Sequence, residues 1–414
     1  MDEITIKKVS SRQEMDDFLH VVKKIYANCP QYVPEFESDV RGLFDIKTNP
    51  GLEFSDIQPF VAYKDGTAVG RIVGIVNRKA NAKWKTKNVR FSMIEFIDDI
   101  NVSRALLETV EAWGKDYGMT HIHGPLGVTD FDKEGMLVED FNLTGSMTAI
   151  YNLPYYPRHM EALGFTKEVD WLQVRINIPE EIPARYVRVA QYARDSIGLR
   201  VIKATKKQIR GAYGQQAFQL FNQAYEKIFG FSELSPKQVN SFLKKYVSLI
   251  DTQLIPIIVN DKDEVVGAAV TMTSLVKALQ KSRGRLLPFG WFHLLRALTW
   301  KPEENAEMLL IAIRPDYQGL GVNAMFFDDL IPIYNHKGVK WAESGGQGQE
   351  DLHSGHPPRG MHVLRSVLRV QGHGFKVPLL RKVLHRRTSG LKLLTGLQAR
   401  FSYILTKRYV PREV

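Results

Sequence analysis

Apolar and polar positions follow one grammar twice along the chain. Pro59-Phe60-Val61-Ala62-Tyr63 passes through Lys64-Asp65-Gly66 into Val69-Gly70-Arg71-Ile72-Val73. At an offset of 197 residues, Pro256-Ile257-Ile258-Val259-Asn260 passes through Asp261-Lys262-Asp263 into Val266-Gly267-Ala268-Ala269-Val270. Two short apolar runs joined by an Asp-rich turn predict a β-hairpin each time. The ungapped offset, with Pro and Val-Gly at matched places, marks an internal repeat.

The flanks repeat as well. Ile209, Tyr213, Ala217, Leu220, Ala224 and Ile228 recur at steps of three or four, and Gly230 ends the pattern, which predicts a helix before the second hairpin. A further strand is expected after each hairpin, Phe91 to Ile97 and Met308 to Ile313. Each leads through a loop to a helix, near Arg104 to Tyr117 and near Val322 to Tyr334, and then to a short strand, His121-Ile122-His123 and Lys340-Trp341-Ala342. Helices, hairpin, strand, helix, strand in this order predict an α/β unit with a mixed sheet, present twice.

Composition sets the frame. The 414 residues suit two or three domains, and 44% hydrophobic content is enough to bury ordinary cores. The amino-terminal residues lack an apolar run behind a basic head, and no stretch is long and apolar enough to span a bilayer. Cys29 is the only cysteine, so neither an internal disulfide nor a cysteine-rich metal site is expected. These features lead us to expect a cytoplasmic protein.

The net charge of +11 is concentrated at one end: residues 352–414 hold 13 Lys/Arg and a single acid, Glu413. The rest is close to neutral, which gives nucleic-acid binding no support there. The tail reads either as a polyanion-binding arm or as an atypical end. Its His353, His356 and His362 have loosely metal-like spacing, but five of the 11 histidines fall in this segment, so composition explains them and no metal is expected.

The turn Ile313-Arg314-Pro315-Asp316-Tyr317-Gln318-Gly319-Leu320-Gly321-Val322-Asn323 joins a predicted strand to a predicted helix. A glycine-bearing turn that opens a helix aims several backbone N–H groups at one spot, and the helix dipole adds positive potential. Gly321 is expected to let the backbone approach a ligand without a Cβ in the way. With the order of elements, this turn resembles the GNAT superfamily of acyl-CoA N-acyltransferases, whose signature is Gln/Arg-x-x-Gly-x-Gly/Ala. Gln318, Gly319, Leu320, Gly321, Val322 and Asn323 fill its six places, with Asn323 departing from Gly or Ala.

The first half resembles a bacterial two-domain GNAT-like subgroup. The stretches are Glu95-Phe96-Ile97-Asp98-Asp99, His123-Gly124-Pro125, Glu134-Gly135-Met136-Leu137-Val138, Tyr151-Asn152-Leu153-Pro154-Tyr155-Tyr156 and Leu163-Gly164-Phe165. The resemblance implies tandem GNAT-like mixed β-sheets flanked by helices. The expected division is 1–180 without a pyrophosphate loop, 181–345 with one, and 346–414 as a basic segment. In the first half Asp98-Asp99-Ile100-Asn101-Val102 stands at the turn, where two carboxylates would repel a diphosphate. After Ala342-Glu343-Ser344 such a domain should continue with a helix and two strands. Leu364, Val367 and Leu368, leading to Gly374-Phe375, have the spacing to imitate that helix.

The resemblance also implies chemistry. Acetyl-CoA or acyl-CoA is the expected donor substrate. Backbone around Leu310, Ile311, Ala312 and Ile313 would donate to the thioester oxygen, and residues 318–323 would hold the pyrophosphate. Glu307 and Glu343, at strand ends, are candidates for the base that takes the amine proton, and each also reads as a solvated strand-end carboxylate. Met160 and Val370 stand where many relatives carry an acidic tyrosine, and Tyr317 lies in the turn itself, so no acid is assigned. Asn152, Tyr155, Tyr156, Asp130 and Asp132 are candidates for a substrate pocket between the halves, core packing being the other reading of the tyrosines.

Aligning the repeats exposes an insertion: Gly267 to Met308 spans 18 residues more than Gly70 to Met93. The extra residues fall within about 275–305, where Lys277, Lys281, Arg283 and Arg285 precede Leu286-Leu287-Pro288-Phe289-Gly290-Trp291-Phe292-His293-Leu294-Leu295-Arg296-Ala297-Leu298-Thr299-Trp300. On a helix Leu287, Trp291, Leu294, Leu295 and Leu298 share one face. That face suits a membrane surface at the inner side of the cell, or the protein's own core. Three readings stay open: acyl transfer from acyl-CoA to an amine, transfer of a long chain to a lipid amine, and a silent GNAT-like binding protein.

Overall fold

A computed structural model describes residues 3–228, 230–344, 347–348 and 361–372. His353, His356 and Gly374-Phe375, and the rest of the basic segment outside 361–372, lie outside the described residues.

The strands are β1 (Ile4–Lys8), β2 (Ser55–Lys64), β3 (Thr67–Asn77), β4 (Asn88–Phe96), β5 (His121–Gly124), β6 (Met136–Leu137) and β7 (Phe165–Asn177) in the first half. The second half has β8 (Arg200–Ile202), β9 (Ile257–Val259), β10 (Val265–Thr273), β11 (Asn305–Ile313), β12 (Trp341–Ser344), β13 (Gln347–Gly348) and β14 (Met361–Gly372). Two mixed sheets, each flanked by helices, fuse into one path ordered β1-β2-β3-β4-β5-β14-β7-β12-β11-β10-β9-β8.

The fusion is an exchange of strands. β14, from the end of the second half, lies against β5 of the first, and β7, from the end of the first, lies against β12 of the second. β7 and β14 pair antiparallel along their length, from Phe165 opposite Gly372 to Ile176 opposite Met361. The segment expected to imitate a helix around Leu364, Val367 and Leu368 is therefore a strand. β7 supplies a pairing partner across the whole run.

Both predicted hairpins form. Asp65 and Gly66 have φ of +50° and +72°, the left-handed pair that a two-residue turn between twisted strands requires. The matched glycines of the repeat have a packing cause. A Cβ on Gly70 would meet Val102 and Leu106, on helix Ile100–Asp116, within about 3 Å. A Cβ on Gly267 would meet Val322 at 2.9 Å and Phe326 at 3.2 Å, on helix Val322–His336. In each half a residue pair spaced i, i+4 presses onto the sheet at a glycine.

The halves also meet through polar contacts. Glu37 N–H donates to the Gly284 carbonyl at 3.0 Å, and Gln280 donates to the carbonyls of Pro30 and Tyr32. One apolar cluster joins Val33 and Phe131 of the first half to Leu220, Phe221, Leu243 and Leu275 of the second.

Candidate functional site

β11 and β12 run parallel only over Asn305–Met308 and Trp341–Ser344. On its other side β11 carries a bulge: Val270 faces Leu310 and Thr271 faces Met308, leaving Leu309 as the extra residue. Leu309, Leu310 and Ile311 thus border a cavity of about 2280 Å³ between the two halves. Its wall is largely apolar and includes Phe36, Phe131, Phe218, Phe221, Leu243 and Leu275.

The outward backbone of Ile311 is already engaged. The Tyr225 hydroxyl, at the end of helix Ala212–Tyr225, donates to the Ile311 carbonyl at 2.8 Å and accepts from its N–H at 3.2 Å. Burial pushes the phenol up to about 12, so the proton stays on it at neutral pH. The periodicity of the sequence did not single this tyrosine out, and the 197-residue offset pairs Tyr26 with Gln223 rather than with Tyr225. Tyr26 likewise closes a helix ahead of the first hairpin, and its hydroxyl reaches Glu95 on β4 at 2.7 Å.

At the other end of β11 the turn forms as expected in position and differently in detail. Gly321 is the N-cap of helix Val322–His336 at φ +91°, and no side chain caps the first turn. Its missing Cβ would point 2.7 Å from Val189 on helix Ala184–Ile197, so this glycine serves helix packing and a left-handed backbone rather than ligand approach. Gly319, at φ +78°, has open space where its Cβ would be. Gln318 lines the cavity and donates to the Ile313 carbonyl at 3.2 Å. Gln318 Oε1 and Asn323 Oδ1 are buried acceptors without a hydrogen-bond partner among the described residues. Uncapped N–H groups fit a diphosphate, and the two idle acceptors fit amide N–H groups such as those of pantetheine.

The first half closes the same place. Asp99 is the N-cap of helix Ile100–Asp116, accepts from Asn101 N–H at 3.0 Å and pairs with Lys64 at 3.2 Å. Asp98 pairs with His159 at 2.9 Å.

Glu307 is 2% exposed, so the solvated reading of its position does not hold. Its carboxylate accepts from Met147 N–H at 3.1 Å, from the Thr148 hydroxyl at 3.3 Å and from the Ser274 hydroxyl at 3.4 Å. Burial pushes it up to about 7, and the charge of Glu343 adds to the rise against those hydrogen bonds. Glu343 stands beside it in register but pairs with Arg175 at 3.3 Å, whose guanidinium lies 3.7 Å from the Trp341 ring centre. Thr148 lines the cavity, so one hydroxyl connects Glu307 to it.

Asp130 and Asp132 line the cavity from the first half. Asn152, Tyr155 and Tyr156 do not. Asn152 braces both backbone groups of Leu137, Tyr155 bonds the Phe96 carbonyl, and Tyr156 bonds Glu95 at 2.7 Å and Phe96 N–H at 3.1 Å. They are internal fittings of the first half. Glu95, enclosed there, is likewise pushed by burial up to about 7. Among the described residues no cluster of three or more metal-ligating side chains occurs, and no helix is long and apolar enough to cross a membrane.

No family model matches the chain. Among curated proteins, Protein YghO of Escherichia coli (strain K12) is 24% identical over 316 residues, 76% of this chain and 79% of that protein. A bacterial ceramide synthase of Caulobacter vibrioides is 25% identical over 323 residues, 76% of this chain and 82% of that protein. Among solved structures, a tandem GNAT protein from the clavulanic acid biosynthesis pathway aligns over 91% of this chain and 100% of its own, with TM-score 0.52 and 11% identity. A GCN5-related glucosamine N-acetyltransferase region of a fungal β-N-acetylglucosaminidase gives TM-score 0.53 at 11% identity, over 90% of this chain and 38% of that one. The chain has the fold of the GNAT acyltransferases, in its tandem form.

Proposed function

We propose that the protein is an N-acyltransferase that joins a long acyl chain, delivered as acyl-CoA, to a lipid amine. The observation that carries this is the cavity: about 2280 Å³ with a mainly apolar wall, reaching Pro315 and Gln318 ahead of the uncapped helix start and the bulged edge of β11. Typical small-ligand sites are roughly 300–1,000 Å³, so an acetyl group and a small amine would leave most of this space unfilled. The ceramide synthase name of the Caulobacter relative denotes the same chemistry, an amide of a long-chain amino alcohol. Acyl-CoA, when bound, supplies the activated carbonyl, and its C–S bond breaks as the amide C–N bond forms, with CoA leaving as the thiol. Residues 318–323 hold its polar end, and the β11 backbone orients the thioester. The acceptor amine loses its proton through Thr148 to Glu307, whose affinity for a proton is matched to neutral pH.

Calorimetry with CoA, acetyl-CoA and palmitoyl-CoA, with product analysis on a long-chain amino alcohol, tests this. Affinity should rise with chain length, by at most about 0.8 kcal/mol per methylene buried. Equal affinity for acetyl-CoA and palmitoyl-CoA would remove the long-chain reading, and absence of any CoA binding would remove the transferase reading.

The turn has its own test. Leu320 is exposed, so Leu320→Glu keeps the fold while placing a carboxylate at the uncapped helix start, as Asp99 does in the first half. CoA affinity should fall about tenfold, the effect of roughly 1.4 kcal/mol of like-charge repulsion. Unchanged affinity by calorimetry would move the diphosphate elsewhere.

A further inference from the structure

The insertion between β10 and β11 divides the predicted apolar stripe between two surroundings. It forms helix Val276–Ser282, helix Gly290–Leu295 and a wider helical turn, Arg296–Trp300. Leu294 and Leu298 pack on the core, with Ala297 buried. Leu287, Phe289, Trp291 and Trp300 are instead 76%, 73%, 49% and 66% exposed, with Leu286, Phe292 and Leu295 also exposed. Single exposed apolar residues are common, but seven within 15 positions make a patch that soluble surfaces rarely leave open.

A second concavity of about 530 Å³ opens directly beneath Leu287, Pro288 and Phe289. Lys23, Lys281, Arg283 and Arg285 make its wall basic. His20 and Lys23 come from helix Arg12–Ile25 of the first half, and Lys281, Arg283, Arg285 and His293 come from the insertion. Glu37 pairs with Lys23, and with Arg285 at 2.7 Å, and offsets one of these charges. The same segment reaches inward, because Leu286 and Leu294 line the large cavity.

We propose that this face docks on an anionic lipid bilayer, with Leu287, Phe289, Trp291 and Trp300 in the headgroup–acyl boundary and headgroup phosphates in the basic concavity. Aromatic and aliphatic side chains beside Lys and Arg match both layers of such a surface. A second copy of the chain fits poorly, since a two-fold contact would bring two cationic concavities together. The patch and the concavity stand without the acyl-transfer reading. The route from the bilayer past Leu286 and Leu294 into the cavity rests on it.

Sedimentation with vesicles tests the docking, using phosphatidylcholine alone and phosphatidylcholine with roughly 30% phosphatidylglycerol. The wild type should pellet at least about tenfold better with the anionic vesicles and lose that gain at high salt. Leu287→Glu/Phe289→Glu should abolish pelleting, and Lys281→Glu should reduce it to the phosphatidylcholine level, both variants keeping the wild-type melting midpoint. Wild type remaining in the supernatant, or both variants pelleting like wild type, would overturn the proposal. So would a wild-type dimer that Leu287→Glu/Phe289→Glu dissociates. Vesicle binding is read without acyl-CoA, and acyl transfer is read in detergent micelles without a bilayer, so either reading can fail alone.

Discussion

Glu307→Gln should lower the rate of acyl transfer by about 10²–10⁴-fold, the usual worth of a positioned general base. The substitution keeps the shape and leaves an oxygen to accept from Met147 N–H and Thr148, so the loss should appear in kcat with KM little changed. Thr148→Val, which cuts the link between Glu307 and the cavity, should share most of the effect. In the wild type, kcat/KM should rise with pH through about 7, where Glu307 of the free enzyme gives up its proton. A variant with wild-type kcat would show that the amine is deprotonated elsewhere.

The same substitution has a stability signature of definite sign. The ordinary carboxyl value is 4.5, and the folded value of Glu307 is raised to about 7. Between these two values the native state binds more protons than the unfolded one, so stability falls as pH rises. The contribution is complete below about 4.5 and lost by the time pH has passed about 7. Glu307→Gln should remove that loss and be the more stable protein at pH 8, by up to roughly 3 kcal/mol. Glu95 carries a similar shift, which is why the comparison is between wild type and variant rather than between two pH values.

Local features of the fold were legible because they have local causes. The Asp65-Gly66 turn is written in two residues, and the Val69-Gly70 and Val266-Gly267 repeats record where a helix must cross the sheet closely. The exchange of β7 and β14 was not legible, since it pairs residues about 200 positions apart and leaves no short-range mark. Read alone, Leu364, Val367 and Leu368 fit a helix. The strand-to-helix turn ahead of Val322 was legible, but the direction of the Gly321 Cβ depends on where helix Ala184–Ile197 packs. The burial of Glu307 depends on the 147–148 loop arriving from the other half. Asn152, Tyr155 and Tyr156 looked like pocket residues because polar aromatic clusters occur both in sites and in cores. Their partners, Leu137, Phe96 and Glu95, show that the core claimed them.

Tyr225→Phe should tighten CoA binding. The hydroxyl now satisfies both outward groups of Ile311, on the strand edge that the thioester arm of CoA would use. Without it the free protein leaves a partly buried N–H and carbonyl unpaired, at a cost of about 1–3 kcal/mol. Bound CoA would restore those bonds in the variant as in the wild type. Only the free state is penalised, so the ligand gains the whole difference, roughly 5- to 150-fold in affinity. The free variant should melt lower than the wild type, and the gap should close at saturating CoA. A second outcome carries a different assignment. If Tyr225 keeps its place and gives its proton to the leaving thiolate, affinity should stay constant while kcat falls. That result would make Tyr225 the general acid that the sequence left unassigned. If neither affinity nor kcat changes, the thioester does not use the β11 edge at Ile311.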